Sequence, residues 1–497
     1  VYLGLDIGTS VIKAAVFDHR GCQVGEASER IRLSTAPLGW SEINGDHVWA
    51  AAVRVIRALI QTGRVPASAI RGVGITGVMV GAWLIDSGGA LQRPPILWND
   101  ARAQGVVDRL RAKRPDLVSR VFAHSGSVMQ LGCILPVLAW LKENEPDTLA
   151  RASHVLCSKD YIRYRLTSEI ATDESEAAMA PGSAAKRDFH SEQLALLGIE
   201  DLAFLLPPVR RSEDLAGRIT TTAAAETGLC AGTPVAIGTG DTAACVVGAG
   251  ALASGDAVSV LGTTCLNGVV FDRPVFEPRD LGLLFIVPGR RWMKTMVNVA
   301  GTTVLDWTLA SLCPDIGAGD QPYETLGEIA ASASPGAGGA LFVPYLSASG
   351  VIAPRIEPRA RASFLGLAPQ HGRPELVRAV YEGVAYAIRD CYEAIGGAGG
   401  RIRLTGGGAR SPFWSQMIAD VTHCRVEIPE GTQFGAKGVA LCGAVAAGDF
   451  NSLSEAVEAT YALSQAYDPV FSAAYEDGFA RFRVGSEAAL GMLTGVA

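Results

Sequence analysis

At 497 residues the chain is too long for one ordinary hydrophobic core, so two or more domains are expected. Charged residues make up 19% and the apolar set 48%, a globular balance with ample core material. The net charge of −7 argues against a duplex nucleic-acid binder, which needs a basic face, yet leaves anionic ligands open, because backbone N–H groups bind phosphate without net positive charge.

The opening stretch, Val1–Leu5, reads as a short apolar strand with no basic region ahead of it, so a signal peptide is not expected. It does not begin with Met, which leaves room for residues ahead of Val1. Leu3–Ile7 and Ile12–Phe17 are apolar runs around Gly8-Thr9-Ser10, the pattern of a β-hairpin. In Asp6-Ile7-Gly8-Thr9-Ser10 the glycine permits close backbone approach to a ligand, the hydroxyls add donors, and Asp6 could hold Mg²⁺ through water. A plain hairpin turn explains the same string. Val48–Thr62 has helical spacing, and Gly72–Thr76 is a short strand. Gly72-Val73-Gly74-Ile75-Thr76-Gly77 matches G-x-G-x-x-G in letters only, since the glycines lie within the strand and no clear helix follows, so a dinucleotide fold is rejected. Val137–Asn144 is again helical in pattern.

Val235–Gly238 is a strand that runs into Gly238-Thr239-Gly240-Asp241-Thr242 and a small-residue helix. Asp241 fits a helix N-cap, and equally a base for a hydroxyl proton. The domain boundary is expected near Asp241–Gly255, giving halves 1–244 and 245–497. Next, Val258–Leu261, Gly262-Thr263-Thr264 and Leu266–Phe271 repeat the opening hairpin 254 residues on, down to a second Val-Phe-Asp. Two such hairpins opening two halves look like a duplicated domain, and two Gly-Thr turns make a clamp for polyphosphate. Ala331–Gly339 reads as a surface connection and Ala340–Val343 as a strand. Pro374–Ile395 is a helix. Ile402–Thr405 runs into Gly406-Gly407-Gly408-Ala409-Arg410-Ser411 and a helix that starts at Pro412, a favoured first position, and continues over Phe413–Val421. Flat glycines there suit an adenosine, or are a plain turn. Gly435–Ala440 is a small-residue helix segment that packs beneath such a site, or simply on another helix. The ten cysteines are scattered without a C-x-x-C pair, which fits reduced thiols in a cytoplasmic protein. No apolar run of membrane-spanning length occurs, and the seven histidines have no H-x-x-H spacing that would indicate a metal hydrolase.

Taken together, Gly4–Ser10, Trp98-Asn99-Asp100-Ala101-Arg102, Lys159–Thr167, Gly238–Asp241, Gly262–Thr264 and Gly406–Ala409 resemble the FGGY carbohydrate kinases, in family order and over nearly the whole chain. The resemblance implies an α/β chain of two ribonuclease-H-like (actin-like ATPase) domains with a cleft between them, ATP, Mg²⁺, and phosphoryl transfer to a sugar hydroxyl. It implies Asp241 as catalytic base, and Asp6, Gly8, Thr9, Ser10 and Lys13 as the first phosphate site, with Asp6 and Asp241 toward the metal. Gly262, Thr263 and Thr264 correspond to the second phosphate site, Gly301 to a further nucleotide contact, and Gly406, Gly407, Ala409 and Ser411 to the adenosine site.

For the sugar, Trp98, Asn99, Asp100 and Asp241 are similar to xylulose kinases. The segment Thr76–Gly81 aligns with a loop that in those kinases reads S-G-Q-M-H-G: Met79 matches, while Val78 and Val80 replace Gln and His. Trp83 is similar to tetritol kinases. The reading is a xylulose-type pentulose kinase, with a tetritol or pentitol kinase as the alternative and an actin- or chaperone-like ATPase as the rival outside the class. A sugar or polyol and ATP are the expected partners, without nucleic acid or membrane, and the assembly is left open between monomer and homodimer.

Overall fold

The computed structural model describes residues 1–33, 37–62, 65–317 and 319–494. β1 (Tyr2–Ile7) and β2 (Val11–Phe17) form the opening antiparallel hairpin, and β2 pairs antiparallel with β3 (Gln23–Arg30). On its other edge β1 runs parallel to β4 (Gly72–Gly77), which pairs parallel with Pro234–Ala236, itself antiparallel to Leu215–Arg218. All six residues of β4 are buried, as expected of a strand covered on both faces.

The second half repeats this plan. Ala257–Leu261 and Cys265–Phe271 form an antiparallel hairpin. Its first strand is parallel to Arg401–Thr405, which is parallel to Arg425–Pro429, which is antiparallel to Leu463–Tyr467. The two sheets therefore share strand order and direction outward from the hairpin, the ribonuclease-H-like plan used twice. The helices foreseen at 48–62, 137–144, 374–395 and 413–421 are present as Gly45–Gln61, Ile134–Asn144, Arg373–Ile395 and Pro412–Thr422.

The expected surface connection at 331–339 is exposed at Ala331, Ser332, Ser334, Pro335 and Gly338, but it is pinned down. The helix Pro322–Ser332 occupies its start, and Ala333 and Ala337 are buried. Arg378 donates to the carbonyls of Ala330 and Ala333, and Glu382 accepts from Gly336 N–H, so buried polar partners pin the segment down.

The strand glycines have a packing reason. Helix Phe434–Ala446, from the second half, lies on β1 and β4 of the first. A Cβ on Gly4 would sit 1.9 Å from the Ala436 carbonyl oxygen, and one on Gly74 1.7 Å from that of Val439. On its opposite flank the helix meets helix Asp241–Gly248, where a Cβ on Gly438 would lie 2.0 Å from the Ala244 oxygen. A core cluster spans the same seam, joining Ala236, Val246 and Val247 to Val258, Phe285 and Leu441. Among the described residues no helix is long and apolar enough to cross a membrane.

Candidate active site

Asp6, one residue before the end of β1, lies opposite Lys13 on β2. The turn between them closes with Gly8 N–H donating to the Val11 carbonyl at 3.1 Å, leaving Thr9 half-buried and Ser10 exposed. Asp241 is the first residue of helix Asp241–Gly248; the cap position belongs to Gly240, so the capping alternative for Asp241 does not hold. Its Oδ1 accepts from Thr242 N–H at 2.6 Å and from the Thr242 hydroxyl at 3.4 Å. Burial pushes this carboxyl up to about 6, and the nearby charge of Asp6 adds to the rise. Burial also raises Asp6, opposed by Lys13. Two buried carboxylates that repel one another when ionised form an oxygen donor set whose charge a hard divalent cation would neutralise.

The second turn is anchored differently. Gly301 N–H donates to the Thr263 carbonyl at 2.9 Å, Thr302 N–H to that of Gly262 at 2.7 Å, and the Thr303 hydroxyl to Thr263 at 3.1 Å. Thr263 and Thr264 remain exposed. A Cβ on Gly301 would lie 2.3 Å from the Gly262 oxygen, so Gly301 is a glycine because the turn presses on it. At Gly262 itself a Cβ would meet only the Thr264 oxygen, at 3.7 Å.

Gly406, at φ 91°, lets the chain leave Arg401–Thr405 in the left-handed region and cross Leu261. A cavity of about 470 Å³ opens beyond it, with Gly406, Gly407, Ala409, Thr432, Phe434 and Gln465 among its walls. Nothing lies within 4 Å of a Cβ on Gly407. Ser411 is not in the wall: its Oγ accepts from Trp414 N–H at 3.2 Å and caps helix Pro412–Thr422, with Pro412 at the foreseen first position. The segment Gly435–Ala440 packs on a helix, as in the simpler of its two readings, and only the helix start, Phe434, reaches the cavity.

On the sugar side the structure brings the predicted segments together. Met79 covers Gly240, next to Asp241: a Cβ on Gly240 would lie 2.3 Å from Met79 Cγ. Val78 and Val80 flank it, both buried. Trp98, 43% exposed, donates from Nε1 to the Thr9 hydroxyl at 3.3 Å, and Asn99 is exposed. Asp100 turns inward. Its two oxygens accept from Ser41 N–H, Arg102 N–H, Arg102 Nε and Arg102 Nη2, which uses its acceptor capacity and fixes the loop. Trp83 is a core residue, 1% exposed and packed on Tyr161.

Sequence reasoning missed Asp173–Glu176, the cap and first turn of helix Glu174–Met179. Asp173 pairs with buried Lys159 at 2.9 Å, the Ser175 hydroxyl accepts from Gly240 N–H at 3.2 Å, and Glu176 accepts from Val80 N–H at 2.8 Å. In the sequence these were only an acidic stretch; the link to Gly240 and Val80 exists in three dimensions alone. The histidine spacing also hid a cluster of His124, His190 and Glu192. Arg120 binds Glu192 and Lys186 binds His190 there, so it reads as an ion-pair cluster.

Residues 1–248 match the FGGY family of carbohydrate kinases, N-terminal domain, and residues 257–447 match its C-terminal domain. The chain belongs to this family and is a sugar kinase. It is 33% identical to the xylulose kinase of Escherichia coli (strain K12) over 92% of both chains. It is 30% identical to the erythritol kinase of Brucella abortus (strain 2308), over 97% of this chain and 95% of that one. Among solved structures, a xyloylose kinase from Brucella ovis superposes with a TM-score of 0.88 at 31% identity, covering 99% of both chains.

Proposed function

We propose that the protein phosphorylates a pentulose of xylulose type at the expense of ATP, with Asp241 as the base. The observation that supports it most directly is the position of Asp241. It starts a helix beside Asp6 and the first Gly-Thr turn, against the Met79 loop, with its carboxyl held near 6. A base works best with a pKa near the working pH. Thr242 holds Oδ1, and among the described residues no side chain donates to Oδ2, which is left for the acceptor hydroxyl.

Phosphoryl transfer needs positioning and charge neutralisation more than covalent chemistry. In this reading the backbone of Gly8–Ser10 and of Gly262–Thr264 cradles the phosphates from two sides, and the glycine-lined cavity at Gly406–Ala409 takes the adenosine. Asp6 and Asp241 are the residues that would hold Mg²⁺, which supplies positive charge beside the phosphate oxygens when bound. Trp98, Asn99 and the Val78–Val80 loop line the sugar. Closing the cleft excludes water, the competing acceptor. The division into halves at residues 244 and 245 belongs to the same reading: sugar on the first, nucleotide on the second.

A tetritol kinase is the second reading. Val78 and Val80 offer no side-chain hydrogen bond, and the erythritol kinase relative matches over nearly the full length. The deciding experiment is ADP release across pentuloses, tetritols, pentitols and glycerol. Turnover with D-xylulose well above erythritol supports the first reading, and the reverse order supports the second. ADP release indifferent to every polyol would overturn both.

A further inference from the structure

Val80 has φ 57°, in the left-handed region. A β-branched side chain is an outlier there and persists only where its surroundings enforce it. The loop around it is tied at four points. Val78 N–H donates to the Ile7 carbonyl at 3.0 Å, Ser158 Oγ donates to the Val78 carbonyl at 3.0 Å, and Gly81 N–H donates to Gly132 at 3.0 Å. The fourth tie, at the strained residue itself, is Val80 N–H to Glu176 Oε2 at 2.8 Å. Three of these ties end on backbone or a hydroxyl. The fourth ends on a carboxyl group with no exposed surface, whose other oxygen has no protein partner.

We propose that Glu176 is a positioning residue that holds Val80 in its left-handed conformation and so sets the shape, and hence the substrate preference, of the sugar wall. This rests on the reading that Val78–Val80 lines the sugar. Glu176 sits one residue after Ser175, whose hydroxyl accepts from Gly240 N–H, so a single turn fixes both the sugar loop and the strand end that carries Asp241. Cys157 Sγ also donates to Oε2 at 3.1 Å, and Lys159 pairs with Asp160 and Asp173 in the same buried layer. Burial pushes the Glu176 carboxyl up to about 8 against the pull of Lys159, which makes the group a neutral acceptor near neutral pH. An amide side chain shares with that neutral acid a carbonyl oxygen that can accept the Val80 N–H, beside a donor group on the other branch.

The test uses the full chain with Glu176→Leu, Glu176→Gln and the double variant Glu176→Leu/Val80→Gly. Glycine adopts the left-handed region without strain, so it removes the need for the tie. With D-xylulose and erythritol as probes, Glu176→Leu is expected to raise sugar KM roughly tenfold or more, because Val80 N–H is left buried without an acceptor. kcat and the KM for ATP should stay within about twofold, as for a loss of uniform binding. Glu176→Gln should keep most of the sugar affinity, and Val80→Gly should recover it in the Leu background. Hydrogen exchange over residues 77–82 reads the tie without any turnover: Glu176→Leu should accelerate it and Glu176→Gln should not. Unchanged exchange in Glu176→Leu overturns the proposal. So does a KM rise that Val80→Gly fails to reduce. Accelerated exchange with no response of either probe in any variant, Val80→His included, upholds the tie and overturns the sugar-wall reading instead.

Discussion

The two hairpins begin as copies and end as different tools. Gly8-Thr9-Ser10 and Gly262-Thr263-Thr264 sit at matching places in matching sheets, yet the strand before the first turn carries Asp6 where the second carries Val260. The turns differ in length too: Ile7 pairs with Ile12 across four residues, whereas Leu261 pairs with Cys265 across three. In the first hairpin Asp6 therefore faces Lys13, and in the second Val260 faces Leu266. Each turn closes on itself through its glycine N–H, Gly8 to Val11 and Gly262 to Thr264; beyond that the first is tied to Ile31 and Trp98, and the second to the start of helix Thr303–Ser311. One jaw carries a charged pair across its strands, and the other carries apolar residues there and offers backbone tied to a helix start.

The largest expected effect tests the charged jaw. Asp241→Asn keeps size and the Thr242 contacts but removes basicity, and turnover should fall roughly 10²–10⁴-fold, with ATP affinity largely kept. Near-normal turnover by a folded variant would leave the charged jaw without its chemical role.

The neutral jaw gives the next test. A Cβ at Gly262 meets only one atom within 4 Å, so the Gly262→Val protein should fold, and nucleotide Kd should rise about tenfold or more as the side chain enters the space a phosphate needs. The same change at Gly8 would press on the Val11 oxygen at 2.7 Å and disturb the turn itself, so the cleaner experiment is on the second jaw. Unaltered nucleotide affinity in folded Gly262→Val would break the idea of a two-sided clamp.

A smaller effect concerns the sugar. Val80→His restores a hydrogen-bonding side chain, and histidine tolerates the left-handed backbone better than valine. Its kcat/KM ratio for D-xylulose over erythritol should rise several-fold, in the range that one paired hydroxyl confers. A wild type already selective for D-xylulose and unimproved by His would mean that other groups, Asn99 among them, set the choice.

The least effect is on stability. Lys294 is buried, donates to the carbonyls of Gly126 and Leu281, and is lowered to about 8 chiefly by burial. An unfolded lysine titrates near 10.4, so between about pH 8 and 10 the unfolded chain binds more protons and this group's contribution to stability rises with pH. Buried thiols such as Cys133, raised to about 12, act oppositely above roughly pH 8.5. The difference between wild type and Lys294→Met is therefore the quantity to measure by denaturant unfolding. It should move in favour of the wild type on going from pH 8 to 10, by at most about 3 kcal/mol; a flat difference would mean that Lys294 titrates as an exposed lysine.

Much of this was legible in the chain because it is local. The two Gly-Thr turns, the strand-to-glycine step before Pro412 and the long helices declare themselves through turn chemistry and period. The strand glycines could be rejected as a dinucleotide motif but not explained, because their partner lies more than 350 residues away in helix Phe434–Ala446. Asp100 looked like a ligand until its neighbours Ser41 and Arg102 were found to use it. Ser411 turned out to serve its own helix. Glu176 carried no pattern, since its only signal is an N–H donated from 96 residues away.

The glycine seat of helix Phe434–Ala446 has a mechanical meaning. At Gly4, Gly74, Gly438 and Gly248 backbone meets backbone at a distance no side chain would allow, and the apolar cluster of Val246, Val258 and Leu441 closes the same seam beside it. Such a seat resists separation, because pulling it apart exposes buried apolar surface and leaves the close backbone contacts empty. Because each jaw sits at the strand ends of its own sheet, the seat that joins the sheets also fixes the distance between the two turns. A substitution as small as Gly74→Ala would therefore act on both halves at once, since it would push a strand of one off a helix of the other.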